Sequence, residues 1–298
     1  LLIVGLILNM FDKKSRFIKL TKYIQKFNVV FVAFALVTLL NTNSNAQENI
    51  YNKEYFKDYK TQSLNISKLF GEVITQSGMG RMKPLDTLNQ EIVQKLTSKS
   101  SFLGLNHNQI ILGMMANPQV WGDVKIIKIK TPKLKKLLGV DLSENYISFS
   151  QIFNEDGYLL VKQSQEANAM EPNKRGTFEK DIIKLDEKLS ITYQVFRGML
   201  FNIFPQPKDN HSHSKNDKWY SPMKAIESFH GKDKEFVTNI MRGFISNVSS
   251  ANYQDGEKFV EFIKQYQRRV GSNVIPSKEI IDAEIFLNKL GIFPKLTL

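Results

Sequence analysis

Gly80-Arg81-Met82-Lys83-Pro84-Leu85-Asp86-Thr87 decides how this chain is read. It follows Gln76-Ser77-Gly78-Met79, and the closely spaced glycines mark a turn because they reach positive φ at little cost. Pro84 suits the first turn of a helix, where its missing N–H is no loss. Leu85, Leu88, Ile92 and Leu96 then recur at helical spacing and form the expected buried face. Arg81 and Lys83 precede the helix N-terminus, where unpaired N–H groups and the helix dipole also favour negative charge. They are candidates for binding an anion. Asp86 either neutralises part of that field or locks Arg81 in a bidentate pair. The plainer alternative is a salt-bridged turn that fixes how the helix starts.

Further helices are expected on both sides of this stretch. Residues 64–75 read as a short helix followed by a strand, and residues 108–116 as a short apolar helix ending near Pro118. Lys125–Lys130 alternates lysine with isoleucine in part and is the best strand candidate. Thr131-Pro132 opens a helix through Leu138, with Gly139 as its stop. Residues 178–202 carry Ile182, Leu185, Leu189, Phe196 and Leu200 on one face of a long amphipathic helix. Residues 229–248, 257–269 and 278–290 read as three more, with Phe259, Ile263 and Tyr266 sharing a face of the second. Ser277 is the N-cap of the last and Gly291 its stop. The expected fold is mainly α with a minor β component.

Membrane segments are expected near the ends. Residues 1–11 open on an uncharged apolar run, about half of the ~20 residues a span needs, and read as the tail of a transmembrane helix. Residues 12–26 are basic: six lysines and arginines against Asp12 alone give +5 of the chain's net +12. Short basic loops stay cytoplasmic. Residues 27–46 are then a transmembrane anchor or a signal-like segment, since Ser44-Asn45-Ala46 also suits a cleavage site. Residues 47–63 are polar and read as a tether, residues 64–290 as an extracytoplasmic domain, and residues 291–298 as the start of a following membrane segment. The expected location is the inner membrane, with most of the chain on the periplasmic side. The loop accounts for much of the positive charge, so the basic balance does not call for nucleic acid. Cysteine is absent, which excludes a disulfide framework and thiolate-based metal or redox chemistry from this chain's own residues.

No phosphate loop, dinucleotide fingerprint, nucleophile elbow or helical zinc-protease motif is present. His211 and His213, flanked by Asp209 and Asp217, offer two nitrogens where a closed zinc site takes four ligands; their loop has a solvated composition. His107 precedes an apolar helix. It is either a polar boundary residue or a ligand in an apolar setting lined by Met114 and Met115. His230 lies beside Gly231 near a helix end. Trp121 and Trp219 offer flat faces to a planar ligand, lie at a membrane boundary, or anchor loops to the core. Glu284 and Asn288, one turn apart, share a helix face with Ile285, Phe286 and Leu287 around them; they are either half-buried near the membrane or make an interhelical hydrogen bond.

Gly80–Thr87 resembles the sequence that opens the extracytoplasmic domain of fused ResB–CcsA (system II) cytochrome c biogenesis proteins. Further similarities follow in the same order: Pro118-Gln119-Val120-Trp121, Ile203-Phe204-Pro205 with Trp219, and Ala283-Glu284-Ile285-Phe286-Leu287-Asn288-Lys289 with Ile292 and Phe293. Asp12-Lys13-Lys14-Ser15-Arg16-Phe17 resembles the end of the ResB-like half. The opening motif is fairly specific. Each of the others is weak alone, and their order carries the resemblance.

The resemblance implies part of a membrane cytochrome c synthase that exports haem and supports its covalent attachment to apocytochrome c. Haem b is then a substrate of the intact protein. The implied partners are apocytochrome c, haem, the membrane and the remaining ResB-like and CcsA-like segments. The family's tryptophan-rich loop and membrane histidines have no counterpart in this chain, so no catalytic residue is carried over. Arg81, Lys83, Asp86 and His107 are the candidate ligand-binding residues. Gly80, Pro84, Trp121, Trp219, Glu284 and Asn288 are the candidate structural or interaction residues. The competing expectation is an exported binding or scaffold domain without enzymatic activity.

Overall fold

The computed structural model describes residues 55–154, 157–207 and 218–290. They fall into two compact units. Of the smaller, the described residues form a hairpin in which Phe153–Asn154 pairs antiparallel with Gly157–Tyr158. The larger comprises the described residues of 55–152 and 160–290. It is mainly helical, and strands among the described residues occur only as two-stranded antiparallel pairs.

Its frame is set by α1 (Leu64–Gly71), α2 (Leu85–Thr97), α3 (His107–Ala116), α4 (Thr177–Phe196), α5 (Gly231–Ser249), α6 (Tyr253–Gly271) and α7 (Lys278–Leu290). Helix α3 is buried almost all round, from Asn108 to Ala116, and forms the centre. Around it α1 contributes Ile66 and Phe70, α2 Leu85, Ile92, Val93 and Leu96, and α5 Val237, Phe244 and Val248. Burying such side chains stabilises by about 1.5–3 kcal/mol each. Helices α5 and α6 form a hairpin through Ser250 to Asn252, where Ala251 takes φ +60°. Helix α7 differs from the rest, because none of its residues is buried.

Strands β1 (Ile74–Gln76) and β2 (Met82–Pro84) pair antiparallel, with Ile74 opposite Pro84. The turn between them has Gly80 at φ +84° and the fully exposed Met79 at its tip. Pro84 is therefore the last strand residue and the extended N-cap of α2, one position before the expected first turn. On α2 the buried face is shifted as well. Leu88 is half-buried, while Asn89 and Val93 are enclosed. The face turns toward α3, which offers both polar and apolar partners.

Other boundaries also moved. The tether does not reach residue 63, because residues 55–62 are helical and Tyr59 is buried, its hydroxyl donating to the Gln109 carbonyl at 2.6 Å. The strand at 125–130 narrows to Ile127–Lys128, paired with Tyr146–Ile147. The long helix ends at Phe196 rather than near 202, and Gly198 follows at φ +63°. The expected helix at 229–248 is preceded by a separate one at Pro222–Ser228. On α6, Val260 joins Ile263 and Tyr266 in the core, while Phe259 is half-buried.

No helix among the described residues is long and apolar enough to cross a membrane. The apolar segments at 1–11, 27–46 and 291–298 lie outside the described residues, as do the basic loop 12–26 and the histidines 211 and 213.

One side chain splices the hairpin to the rest. Gln267 on α6 is buried; it donates to the carbonyls of Ile74 and Ile203 at 2.8 Å each and accepts from the Ile74 N–H at 3.2 Å. Gln267→Leu leaves these buried backbone groups without partners, at about 1–3 kcal/mol for each group stranded. Urea denaturation is expected to show a fall in midpoint of that order with unchanged slope. An unchanged midpoint would mean that the splice contributes nothing.

Candidate functional site

Asp86 sits in the first turn of α2, where a carboxylate is favoured by the helix dipole. It is buried, 3% exposed. Its Oδ1 accepts from His107 Nε2 at 2.9 Å and from Asn108 Nδ2 at 2.7 Å. Its Oδ2 accepts from Asn288 Nδ2 on α7 at 3.4 Å. Asn108 Oδ1 in turn accepts from Asn89 Nδ2 at 2.9 Å. Asn89 Oδ1 is buried and has no partner among the described residues.

The local chain explains why these groups converge. Asn106 is the N-cap of α3 and forms a capping box with Gln109: Asn106 Oδ1 accepts from the Gln109 N–H at 2.9 Å, and Gln109 Oε1 from the Asn106 N–H at 3.2 Å. Gln109 Nε2 also donates to the Lys60 carbonyl and to Ser63 Oγ. The start of α3 is thereby fixed, and with it His107 and Asn108. Gly71, at the end of α1, makes room: a Cβ there would lie 2.6 Å from Asn108 Nδ2.

Helix α7 docks by polar contacts. Glu284 Oε1 accepts from Arg81 Nη2 at 2.9 Å and from Thr87 Oγ1 at 2.8 Å. Asn288 Nδ2 also donates to Thr87 Oγ1 at 2.8 Å, and Gln90 Nε2 donates to the Asn288 carbonyl at 3.4 Å. Glu284 and Asn288 thus make the interhelical bonds their spacing allows. The Arg81–Asp86 pair does not form. Asp86 is turned to α3, and Arg81 reaches α7 instead. Lys83 is equally committed: it is 7% exposed, and its Nζ lies 2.6 Å from Glu91 Oε2. The two cations therefore do not form an open anion cradle.

Burial raises the Asp86 pKa, but the hydrogen bond and charge of His107 and the hydrogen bonds from Asn108 and Asn288 outweigh it. The net effect holds the group below its ordinary 3.8. His107 has no further hydrogen bond among the described residues, so no hydroxyl or thiol completes a nucleophilic triad with this pair. Among the described residues no group of three or more His, Cys, Asp or Glu side chains could hold a metal ion. His230 is the exposed N-cap residue of α5, remote from this network in the chain and unlinked to it by any hydrogen bond.

Both tryptophans are interior anchors rather than flat exposed surfaces. Trp121 is 1% exposed, packs edge-on against Phe56 and lies so close to Gly113 that a Cβ there would meet Nε1 at 2.5 Å. Trp219 is buried beside Gly271 and Pro205, and its backbone N–H donates to Gln76 Oε1 at 2.9 Å.

His107, Asp86 and Asn108 open onto a cleft of about 630 Å³, bounded by α1 on one side and α7 on the other. Lys68 and Lys289 line it together with Leu64, Ile285 and Phe286. Most of these lining residues were not singled out by motif. The signal that was present is Asn106-His107-Asn108-Gln109, a capping-box pattern that places His107 at a fixed helix start.

No family model matches the chain. The whole chain aligns with Protein NrfI of Wolinella succinogenes at 37% identity over 299 residues, covering 32% of that protein. The chain therefore spans about a third of the length of the curated relative it matches.

The direction of the Asp86 shift sets a pH dependence. The folded protein releases this proton more readily than the unfolded chain, so ionised Asp86 stabilises the fold above the unfolded pKa. That contribution is lost as pH falls from about 3.8 through the lower folded value. Asp86→Asn is therefore expected to flatten the acid limb of stability against pH, read from urea midpoints across that window. An acid limb identical to wild type would contradict the shift.

Proposed function

We propose that this chain is the extracytoplasmic linking part of a membrane cytochrome c synthase of the fused ResB–CcsA kind. In this reading the intact protein exports haem and supports its covalent attachment to apocytochrome c, at the periplasmic face of the inner membrane. The observation that carries the reading is the similarity to Protein NrfI along the entire chain. Haem and apocytochrome are substrates of the intact protein, and the thioether chemistry belongs to segments other than this domain.

The polar docking of α7 supports a specific role within that reading. Arg81, Thr87 and Asp86 on the hairpin-to-α2 stretch grip Glu284 and Asn288. The motif that labels the family is thus also the place where α7 is seated. Its role is to hold the helix that leads out of the domain at a fixed angle to the helical core. Asp86 and His107 form the floor beneath that helix, and Lys83 secures the start of α2 through Glu91. A scaffold domain outside cytochrome maturation is the competing reading; it requires no effect of this docking on any cytochrome.

The test is holocytochrome yield in cells carrying the intact protein, measured by covalent haem staining and divided by protein abundance. The Arg81–Glu284 pair is largely exposed on the arginine side, and such pairs contribute about 0–1 kcal/mol. Arg81→Gln should therefore leave abundance near wild type while lowering holocytochrome several-fold. Parallel loss of abundance and yield would reduce Arg81 to a stabilising residue. Full yield on deleting the intact protein would overturn the maturation reading.

A further inference from the structure

Residues 124–147 carry six lysines against two carboxylates, Asp141 and Glu144, and no arginine. Both carboxylates are taken. Asp141 accepts from the Ser143 N–H and hydroxyl at 2.7 and 2.6 Å, and Glu144 Oε1 lies 2.8 Å from Lys125 Nζ. Helix α4, packed behind this segment, carries four acids and three lysines. Its Asp181, Asp186 and Glu187 are held by Thr131, Ser164 and Lys95, and Asp181 also lies 3.6 Å from Lys184. Among the described residues Lys128, Lys130, Lys133 and Lys136 form no ion pair. Lys133 alone meets a ring, with the Phe178 centroid 4.0 Å away. The crowding of ammoniums is felt by Lys188 on α4, which donates to the Lys128 carbonyl at 2.6 Å. Burial, and then the charges of Lys128, Lys130 and Lys184, outweigh Asp181 and push its pKa down to about 8. With the acids of both elements counted, this edge of the domain is electropositive.

The same segment presents two leucines to solvent. The helix Pro132–Leu137 turns Leu134 and Lys135 inward and leaves Lys133, Lys136 and Leu137 outside. Lys133 and Leu137 are one turn apart and share a face with Lys136. The chain then folds back on itself. Gly139 takes φ +65°, the Val140 N–H donates to the Lys135 carbonyl at 2.9 Å, and the buried Lys135 Nζ donates to the Leu142 carbonyl at 2.8 Å. Leu142 is thereby held beside the helix, 52% exposed, with Leu137 at 44%. Single exposed leucines are ordinary. Two on a closed tip, beside ammoniums without counterions, match an interfacial anchor, with apolar side chains at the acyl boundary and lysines at headgroup level. The type of cation separates lipid from protein. Protein interfaces favour arginine and aromatic rings and disfavour lysine. Here every cation is lysine, a flexible point charge whose stem lies along apolar surface while its head stays in water.

We propose that the tip 130–142 docks on an anionic phospholipid bilayer, with Leu137 and Leu142 at the acyl boundary and Lys130, Lys133 and Lys136 on the headgroup phosphates. The contact is made by the folded domain and is distinct from any segment that spans a membrane. It lays the domain on the bilayer by one fixed edge. It stands on the charge and shape of this tip, independently of the maturation reading.

The chain has no cysteine, so Leu137→Cys carries a single nitrobenzoxadiazole label, whose emission rises and shifts to the blue in an apolar setting. The labelled full chain is placed in nanodiscs of phosphatidylcholine, with or without phosphatidylglycerol. The expected result is blue-shifted, several-fold stronger emission on the anionic discs and an aqueous spectrum on the neutral ones. The difference should vanish in about 1 M salt, where the screening length falls to about 3 Å. Lys130→Gln/Lys133→Gln/Lys136→Gln should abolish it with an unaltered melting curve; at about fivefold per lysine, the three together weaken docking about a hundredfold. The matching triple arginine variant keeps the charge and should keep the response. An aqueous spectrum on anionic discs, an equal shift on neutral ones, or a full shift in the glutamine variant overturns the proposal. A label that stays aqueous on anionic discs yet responds to polyglutamate assigns the face to an acidic protein, and overturns it too. Holocytochrome yield separates the two ideas. An aqueous tip with normal yield defeats the docking alone, whereas a docked tip in a protein that supports no holocytochrome defeats the maturation reading alone.

Discussion

The carboxylate of Asp86 is the constraint on which the arrangement depends. A buried carboxylate is costly unless it is paired and hydrogen-bonded. This one recruits donors from two other elements: His107 and Asn108 at the start of α3, and Asn288 on α7. Each donor is itself fixed. The Asn106–Gln109 capping box holds the start of α3, Gly71 leaves the space that Asn108 occupies, and Thr87 shares Asn288 with the carboxylate. The carboxylate is thus answered by parts of the chain some two hundred residues apart in the Asp86–Asn288 case.

This constraint explains why α7 is unlike the other helices. It has no buried residue; Glu284 and Asn288 tie it to α2 by hydrogen bonds, and Ile281 and Ile285 are half-buried beside them. A helix held by hydrogen bonds and a partly exposed ion pair sits at the low end of local stability. Its apolar residues, freed from the core, line a cleft beside His107. The sequence motif Gly80–Thr87, the docking of α7 and the cleft are therefore one structural unit. In the proposed maturation role, that unit sets the direction in which the chain leaves the helical domain.

Periodicity made most of the helices readable. Residues 64–71, 107–116, 132–137 and 278–290 lie close to where spacing and punctuation placed them. The helix at 55–62 was hidden because its polar composition masks the single buried Tyr59. The strand at 125–130 was overread. Its isoleucines 126, 127 and 129 are all buried, but only Ile127 and Lys128 find a partner strand. At the site, the shared face of Glu284 and Asn288 was legible from one-turn spacing. The partner of Arg81 was not, because a local Asp86 and a distant Glu284 look equally plausible until the fold decides. Nor was the state of Asp86 legible. A first-turn acid reads as an exposed dipole partner, and only the approach of α3 makes it a buried acceptor.

The central claim is that the start of α2 seats α7, with Thr87 bonded to Glu284 and Asn288 and Asp86 accepting from Asn288, while the rest of the domain stands without that helix. Amide hydrogen exchange on the full chain tests it most directly, comparing wild type with Asn288→Ala. The account predicts faster exchange confined to residues 278–290, with protection of α2 and α3 unchanged. Unchanged exchange in 278–290, or loss of protection spread through α2 and α3, would contradict it.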